Sequence, residues 1–298
     1  MFEFDLYRVL SFAFQFLDSF AVIVLATVGL AIIFGMMGVI NLAHGEFILV
    51  GAYATTLAFH AGAPLVLAMV IGVAITTVYG VILERTIIHR FYGRLLDSMV
   101  VTFGISIVMI QLTRIAFGNS LPQISTPFSS IGFGPYSYST YRVALAGVAL
   151  LTLVSLYWLF TRTDFGVRAR ATMQDADTAR SMGVDTDRMY TSTFAIGSAL
   201  AGLTGALYAP ARSMNPEMGS GFLVEAFVAV VVGGPSVLLG TPLAGGLLGA
   251  VNAGFTTLGG TFIGQVAMLV AAILAIRLMP NGITGLIETI RQKRRERA

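Results

Sequence analysis

Cysteine is absent from the 298 residues, and charge is scarce. Asp, Glu, Lys and Arg together supply 11% of the chain, against 56% hydrophobic residues. A soluble domain carries about 25% charged residues, because its surface faces water. Too few charges remain here to cover such a surface. That excludes a soluble enzyme, a disordered chain and a nucleic-acid binder. Without cysteine there is no disulfide and no thiolate metal site. Lysine occurs once, at Lys293, after Gln292. A P-loop needs Gly-Lys-Ser/Thr so that its lysine reaches the phosphates, so the chain is not expected to be an ATPase of that kind. The three histidines, His44, His60 and His89, form no paired metal-binding pattern. His44-Gly45-Glu46 offers two ligands, too few to hold an ion. No serine stands in a nucleophile-elbow setting. No enzyme activity, metal or cofactor is therefore expected in this chain.

What the chain has is long apolar runs and many small residues. Mean hydropathy is +0.83, and there are 33 glycines, as expected where helices pack closely in lipid. The composition predicts an all-α, polytopic integral membrane protein. A crossing takes about 20 apolar residues, roughly 30 Å at 1.5 Å each. Residues 19–45 contain no Asp, Glu, Lys or Arg and make one span. Residues 47–83 are also uncharged but too long for one helix, and Gly62-Ala63-Pro64 is the natural break. Residues 98–113, 143–161 and 189–211 make one span each. The uncharged stretch 226–276, extended back to 222, is punctuated by Gly233-Gly234-Pro235, Gly240-Thr241-Pro242 and Gly259-Gly260. It holds two or three short helices, one of which could be re-entrant. The total is eight to nine spans in a single membrane domain, 1–298.

Arginine sets the orientation. The loop 84–97, the loop 162–188 and the tail 287–298 hold 13 of the 18 basic residues, which places all three in the cytoplasm. Residues 116–141 carry no charge and are expected outside. Three spans before the first cytoplasmic loop put the N-terminus outside, in keeping with Glu3, Asp5 and Asp18 against Arg8. Those acids are not the basic start of a signal peptide, so the first apolar span is expected to be retained. Parity favours three crossings between Arg212 and the tail, and nine overall. The tail residues Arg291–Arg297 read as a contact to anionic lipid.

The loop 162–188 stands apart. Five acids oppose five arginines in it. Residues 169–182 lack Gly and Pro, with Asp164 as the expected N-cap and Gly183 where a C-terminal glycine ends a helix. A short amphipathic helix between two spans follows. It is either a solvated linker or a docking helix for a cytoplasmic partner. Ion-coupled carriers place ionisable groups mid-membrane. Here Asp18, Glu46, Glu225 and Arg277 all fall near span ends. The chain is thus a passive pore or is driven by a partner.

Four segments carry a resemblance. Gly38-Val39-Ile40-Asn41-Leu42-Ala43-His44-Gly45-Glu46-Phe47 with Gly51-Ala52-Tyr53 resembles a signature of permeases in ATP-binding-cassette importers for branched-chain amino acids, urea and short amides. Gly166-x-Arg168-x-Arg170-Ala171, followed by Ala179-x-x-Met182-Gly183-Val184, resembles the cytoplasmic coupling segment of that family. The glycine-rich stretch 227–249 and Met279-Pro280-Asn281-Gly282 resemble its late segments. Pro235 departs from the pattern, standing where a small or aliphatic residue is expected. The resemblance covers nearly the whole chain. It implies a second permease subunit, identical or related, two cytoplasmic ATP-binding subunits carrying ATP and Mg, and a periplasmic solute-binding protein, in the bacterial inner membrane. It also implies that Asp164, Gly166, Arg168, Arg170, Ala171, Met182 and Gly183 couple the chain to its ATPases. Phe91-Tyr92-Gly93-Arg94, Met173-Gln174 and Gly240-Thr241 lean slightly toward the urea and amide branch. A self-sufficient channel or ion-coupled carrier is the alternative.

Polar groups at Asn41, His44, Glu46 and Glu225 have two readings each. They line or gate a solute path, which satisfies their polar atoms with water. Otherwise Asn41 and Glu46 cap helix ends, His44 bonds locally and Glu225 anchors at the interface. Gly197, Gly202 and Gly205, with Ala201, form a small-residue stripe expected to pack closely.

Overall fold

The computed structural model describes residues 6–133, 136–234 and 236–295. Glu3, Asp5, Pro235 and Arg297 lie outside the described residues, as do the expectations placed on them. The chain divides into two compact units. One comprises Met1–Thr27, Thr126–Leu153 and Glu225–Ala298, the other Val28–Ser125 and Val154–Val224.

Among the described residues helices fall in the expected regions, but the first, expected over 19–45, runs Leu6–Met37 and unwinds before a second begins at His44. They are α1 Leu6–Met37, α2 His44–His60, α3 Leu65–Thr86, α4 Leu95–Phe117 and α5 Thr140–Arg162. Two short helices follow, α6 Asp164–Gln174 and α7 Ala176–Ser181. Then come α8 Thr186–Tyr208, α9 Met218–Gly233, α10 Val237–Gly259, α11 Thr261–Leu278 and the tail helix α12 Gly282–Arg295. Among the described residues six stretches are long and apolar enough to cross a membrane: α1, α3, α4, α5, α10 and Thr261–Ile287, which begins with α11. At 17 and 16 residues, α2 and α9 reach only about 24–26 Å, short of a typical hydrocarbon core. Buried hydroxyls do not break these helices, because they bond back one turn. Thr56 donates to the Ala52 carbonyl at 2.8 Å and Thr76 to Gly72 at 2.8 Å.

In the unit holding residues 28–125 and 154–224, α2, α3 and α8 pack on glycine. A Cβ on Gly51 would meet the backbone of Gly202, one on Gly202 would meet Thr76, and one on Gly205 would strike the Ile48 carbonyl. Gly197 lies equally close to Gly29 and Ile33 of α1. The expected small-residue stripe on α8 therefore faces three helices. The break at Gly62 is as expected, with φ +98°. The amides of Gly62 and Ala63 close the end of α2 on the Phe59 and Ala58 carbonyls.

The other unit buries Ile23, Ala229, Val232, Ala244, Leu248, Met268, Ala272 and Ala275 together. Asp18 pairs with Arg142 at 2.7 Å, and Ser19 donates to Asn252 at 3.1 Å. Thr284 of α12 donates to the carbonyl of Gly233, the last residue of α9, at 2.8 Å. It thereby ties the tail helix to the α9–α10 joint.

Two of these expectations need correction. Gly240-Thr241-Pro242 does not interrupt the chain: α10 runs through it, with Pro242 inside. Proline lacks one amide donor and has a φ already suited to a helix, and the apolar packing of α10 on α11 outweighs the lost bond. The uncharged segment 116–141 carries structure of its own. It forms a hairpin of β1 Ser130–Phe133 and β2 Tyr136–Ser139, paired Ser130↔Ser139. There Tyr138 stacks on Phe14 at 5.0 Å and shares a 2.6 Å hydrogen bond with Ser11. The second correction is the single amphipathic helix over 169–182. It is two helices, because Asp175 leaves helical geometry to cap the second.

Candidate functional site

Two regions hold the singled-out residues. The first is the joint between α1 and α2. α1 stops at Met37, Gly38 turns with φ +60°, and the backbone is not helical again until His44. Unpaired backbone inside a membrane protein is tolerated only where protein or water satisfies it. Here α4 does so. Ser98 Oγ accepts from the Ile40 amide at 3.3 Å, and Thr102 Oγ1 accepts from Leu42 at 3.0 Å. Thr102 also donates to the Ile40 carbonyl at 3.2 Å. One turn on, Ser106 donates to Glu46 Oε1 at 3.0 Å. Ser98, Thr102 and Ser106 thus form one hydrogen-bonding edge of α4 along the whole joint. Their spacing of four within the apolar run 98–110 is visible in the sequence, but nothing there names what they brace.

Asn41, His44 and Glu46 are brought together here, each at most 1% exposed. Asn41 Oδ1 accepts from the Ala43 amide at 3.0 Å, and its carbonyl accepts from His44 N–H at 3.2 Å, so the residue shapes the turn into α2. His44 opens α2, its Cε1 close beside Gly29. Glu46 lies in the first helical turn, where a carboxylate favours the positive end of the helix. Its Oε2 has no hydrogen-bond partner among the described residues and lies near Gly219 of α9. Gly45 and Gly219 themselves touch backbone to backbone, and a Cβ on either would collide with the other's carbonyl. Glu225 falls in the other unit, half-buried at the middle of α9 rather than near a span end as expected.

The second region is α6–α7. Its N-cap is Thr163 rather than Asp164: the Thr163 Oγ1 accepts from the Gly166 amide at 3.3 Å, while Asp164 is the acid of the first turn. The threonine wins because its extended backbone immediately precedes the helical residues. Gly166 fits against the Phe160 carbonyl of α5, where any side chain would collide. Ala169, Thr172 and Ala179 are buried, and Ala171 is half-buried. Asp164, Arg168, Arg170 and Gly183 are exposed, and Met182 is 81% exposed. Asp175 then caps α7, accepting from the amides of Asp177 and Thr178 at 3.0 and 2.9 Å. Those bonds hold its carboxyl below the ordinary aspartate range. α7 closes on Gly183, φ +87°, with Gly183 N–H on the Arg180 carbonyl and Val184 N–H on that of Ala179, both at 3.0 Å. This is the paired bonding that makes a left-handed glycine the natural end of a helix. Arg180 then reaches forward to Thr186 Oγ1 at 2.8 Å, clasping α7 to the start of α8.

Long apolar spans, an unwound joint braced by hydroxyls and an exposed capped helix pair between two spans define a multi-pass membrane protein of the transport class. The chain belongs to the family described as "Branched-chain amino acid transport system / permease component", whose model matches residues 12–279. Among its relatives is the high-affinity branched-chain amino acid transport system permease protein LivH of Escherichia coli K12. It is 28% identical over 278 residues, 88% of this chain and 90% of the relative. BraD of Pseudomonas aeruginosa, bearing the same description, is 27% identical over 88% of this chain and 91% of its own. A probable LivH of Methanocaldococcus jannaschii is 27% identical over 88% of each chain. No solved structure matches the chain.

Proposed function

We propose that this chain is the transmembrane subunit of an ATP-driven importer, moving a small polar organic solute across the inner membrane. ATP and Mg are held, and ATP is hydrolysed, by two separate cytoplasmic subunits. A second permease subunit completes the pathway, and a periplasmic binding protein delivers the solute. The observation that carries this reading is the α6–α7 pair. It is capped at both ends and seated on α5 and α8 through buried small residues, and it presents Arg168, Arg170 and Met182 outward. A stiff element tied to two spans transmits displacement. A floppy linker does not. ATP-driven closure of the partner subunits would favour one of two arrangements of the spans.

Branched-chain amino acids are the solute class that the names of the full-length relatives favour. Urea and short amides are the second reading, favoured by the Phe91–Arg94, Met173-Gln174 and Gly240-Thr241 segments. Reconstitution into proteoliposomes decides both questions. Labelled leucine and labelled urea are offered to the complete importer with ATP, and to the permease alone. ATP-dependent uptake of one solute by the complete importer is the expected result. Flux through the permease alone would instead mark a self-sufficient channel or carrier.

A further inference from the structure

A cleft of about 270 Å³ opens at the foot of α3, lined by Glu84, Arg85, His89, Tyr92, Asp187 and Thr191. It takes no part in either region described above. At its base Glu84 is 2% exposed. The Tyr92 hydroxyl donates to Glu84 Oε1. Burial, reinforced by that carboxylate, pushes the Tyr92 phenol above its usual range, so it remains a donor. Glu84 Oε2, also buried, has no hydrogen-bond partner among the described residues. Arg85 is on the same cleft but exposed, and it does not reach that oxygen. Asp187, at the start of α8, adds a second carboxylate at the rim. Its neighbour Arg180 lies 3.8 Å away and is shared with Asp177 and Thr186.

We infer that this cleft is a socket for one basic side chain, lysine or arginine, of the ATP-binding subunit. The inference rests on the importer reading proposed above. A buried carboxylate oxygen with no donor is costly, and a cationic donor is the group that repairs it best. Glu84 held from one side by Tyr92 leaves its other oxygen for such a donor, and Asp187 supplies the second acceptor. The cleft adjoins α7 through Arg180, so a protein seated on the exposed face of α6–α7 has its own side chains beside the opening. The contact would be a local lock at the foot of α3, added to the coupling-helix contact.

The test uses the assembled importer, purified with its ATP-binding subunits, and follows their retention as salt is raised. Glu84→Gln is expected to weaken apparent affinity for those subunits roughly tenfold or more, as when one partner of a buried charge pair is truncated. Because Glu84 is buried and its variant could misfold, a second measurement uses the exposed Asp187. In this cysteine-free chain, Asp187→Cys coupled to a maleimide–succinimide reagent is expected to capture a lysine of the ATP-binding subunit. Retention unchanged in a folded Glu84→Gln importer, with no capture at position 187, overturns the socket while leaving the importer reading intact. Stabilisation of the permease alone by guanidinium ion, with retention unchanged in Glu84→Gln, would reassign the cleft to a small free cation and also overturn it. Failure of the wild-type permease to retain any ATP-binding subunit sinks both readings.

Discussion

At Gly45 the chain has no room for one more carbon. Its backbone meets that of Gly219 so closely that a Cβ on either would overlap the opposite carbonyl. A backbone carbonyl in a helix cannot swing aside as a side chain can. Gly45→Ala and Gly219→Ala are each expected to destabilise by about 1–3 kcal/mol, the usual cost of overpacking. Gly104 and Gly147 sit within helices with nothing within 4 Å of an added Cβ. There alanine relieves helical glycine of its entropy cost, and a gain of about 0.5–1 kcal/mol is expected. Thermal unfolding of the four variants in one detergent separates the pairs. Ser106→Ala makes the complementary test. It strips the buried Glu46 Oε1 of its donor, and a loss of about 1–3 kcal/mol is expected by the same measurement. The polar residues Asn41, His44 and Glu46 could be picked out in the sequence, but their braces could not. Ser98, Thr102 and Ser106 look like ordinary hydroxyls in a span until α4 is laid against the unwound joint.

Among the elements, α6–α7 shows how capping chemistry overrides a smooth helix pattern. The run 169–182 has no Gly or Pro and reads as one helix. Asp175 breaks it, because a carboxylate that can accept two amides and the Thr178 hydroxyl stabilises a fresh N-terminus there. The sign of its pH effect follows from the depressed pKa. The contribution of Asp175 to α7 is present above the unfolded-state value. It is lost as pH falls through the lower folded-state value. Hydrogen exchange should show protection of the α7 amides falling as the solution is acidified below the ordinary aspartate range. Asp175→Asn should lose most of that dependence. Gly183 was legible as a helix end from sequence alone, since a left-handed residue closing a helix is glycine more often than any other. Asp164 was misplaced by one residue because Thr163 and Asp164 are both good caps. Only the backbone angles decide between adjacent candidates.

For the molecule as a whole, large apolar side chains on α3, α4, α10 and α11 remain exposed, among them Val66, Ile115, Leu258 and Phe262 at 74–83%. Water would not tolerate such faces, and lipid does. α1 differs: 83% of its apolar window is buried, against 22% for α3 and α4, so it is a core helix rather than a lipid-facing one. The absence of cysteine makes the proposed orientation directly measurable. Met182→Cys, at an exposed position on the loop after α7, is expected to react with a membrane-impermeant maleimide only in inverted vesicles. Reaction from the periplasmic face of intact spheroplasts would place that loop outside and overturn the coupling role.

Membrane residence, the approximate places of most helices and the distinct character of residues 162–188 were legible in the sequence, because each depends on local composition: apolar run length, charge density, and Gly or Pro at breaks. Four matters depended on tertiary packing. They are which glycines touch, which hydroxyls brace the α1–α2 joint, how far Pro242 could be absorbed into α10, and that Glu84 lies at the base of a cleft. Each is a meeting of segments far apart in the chain, and its energy comes from partners that no local pattern names.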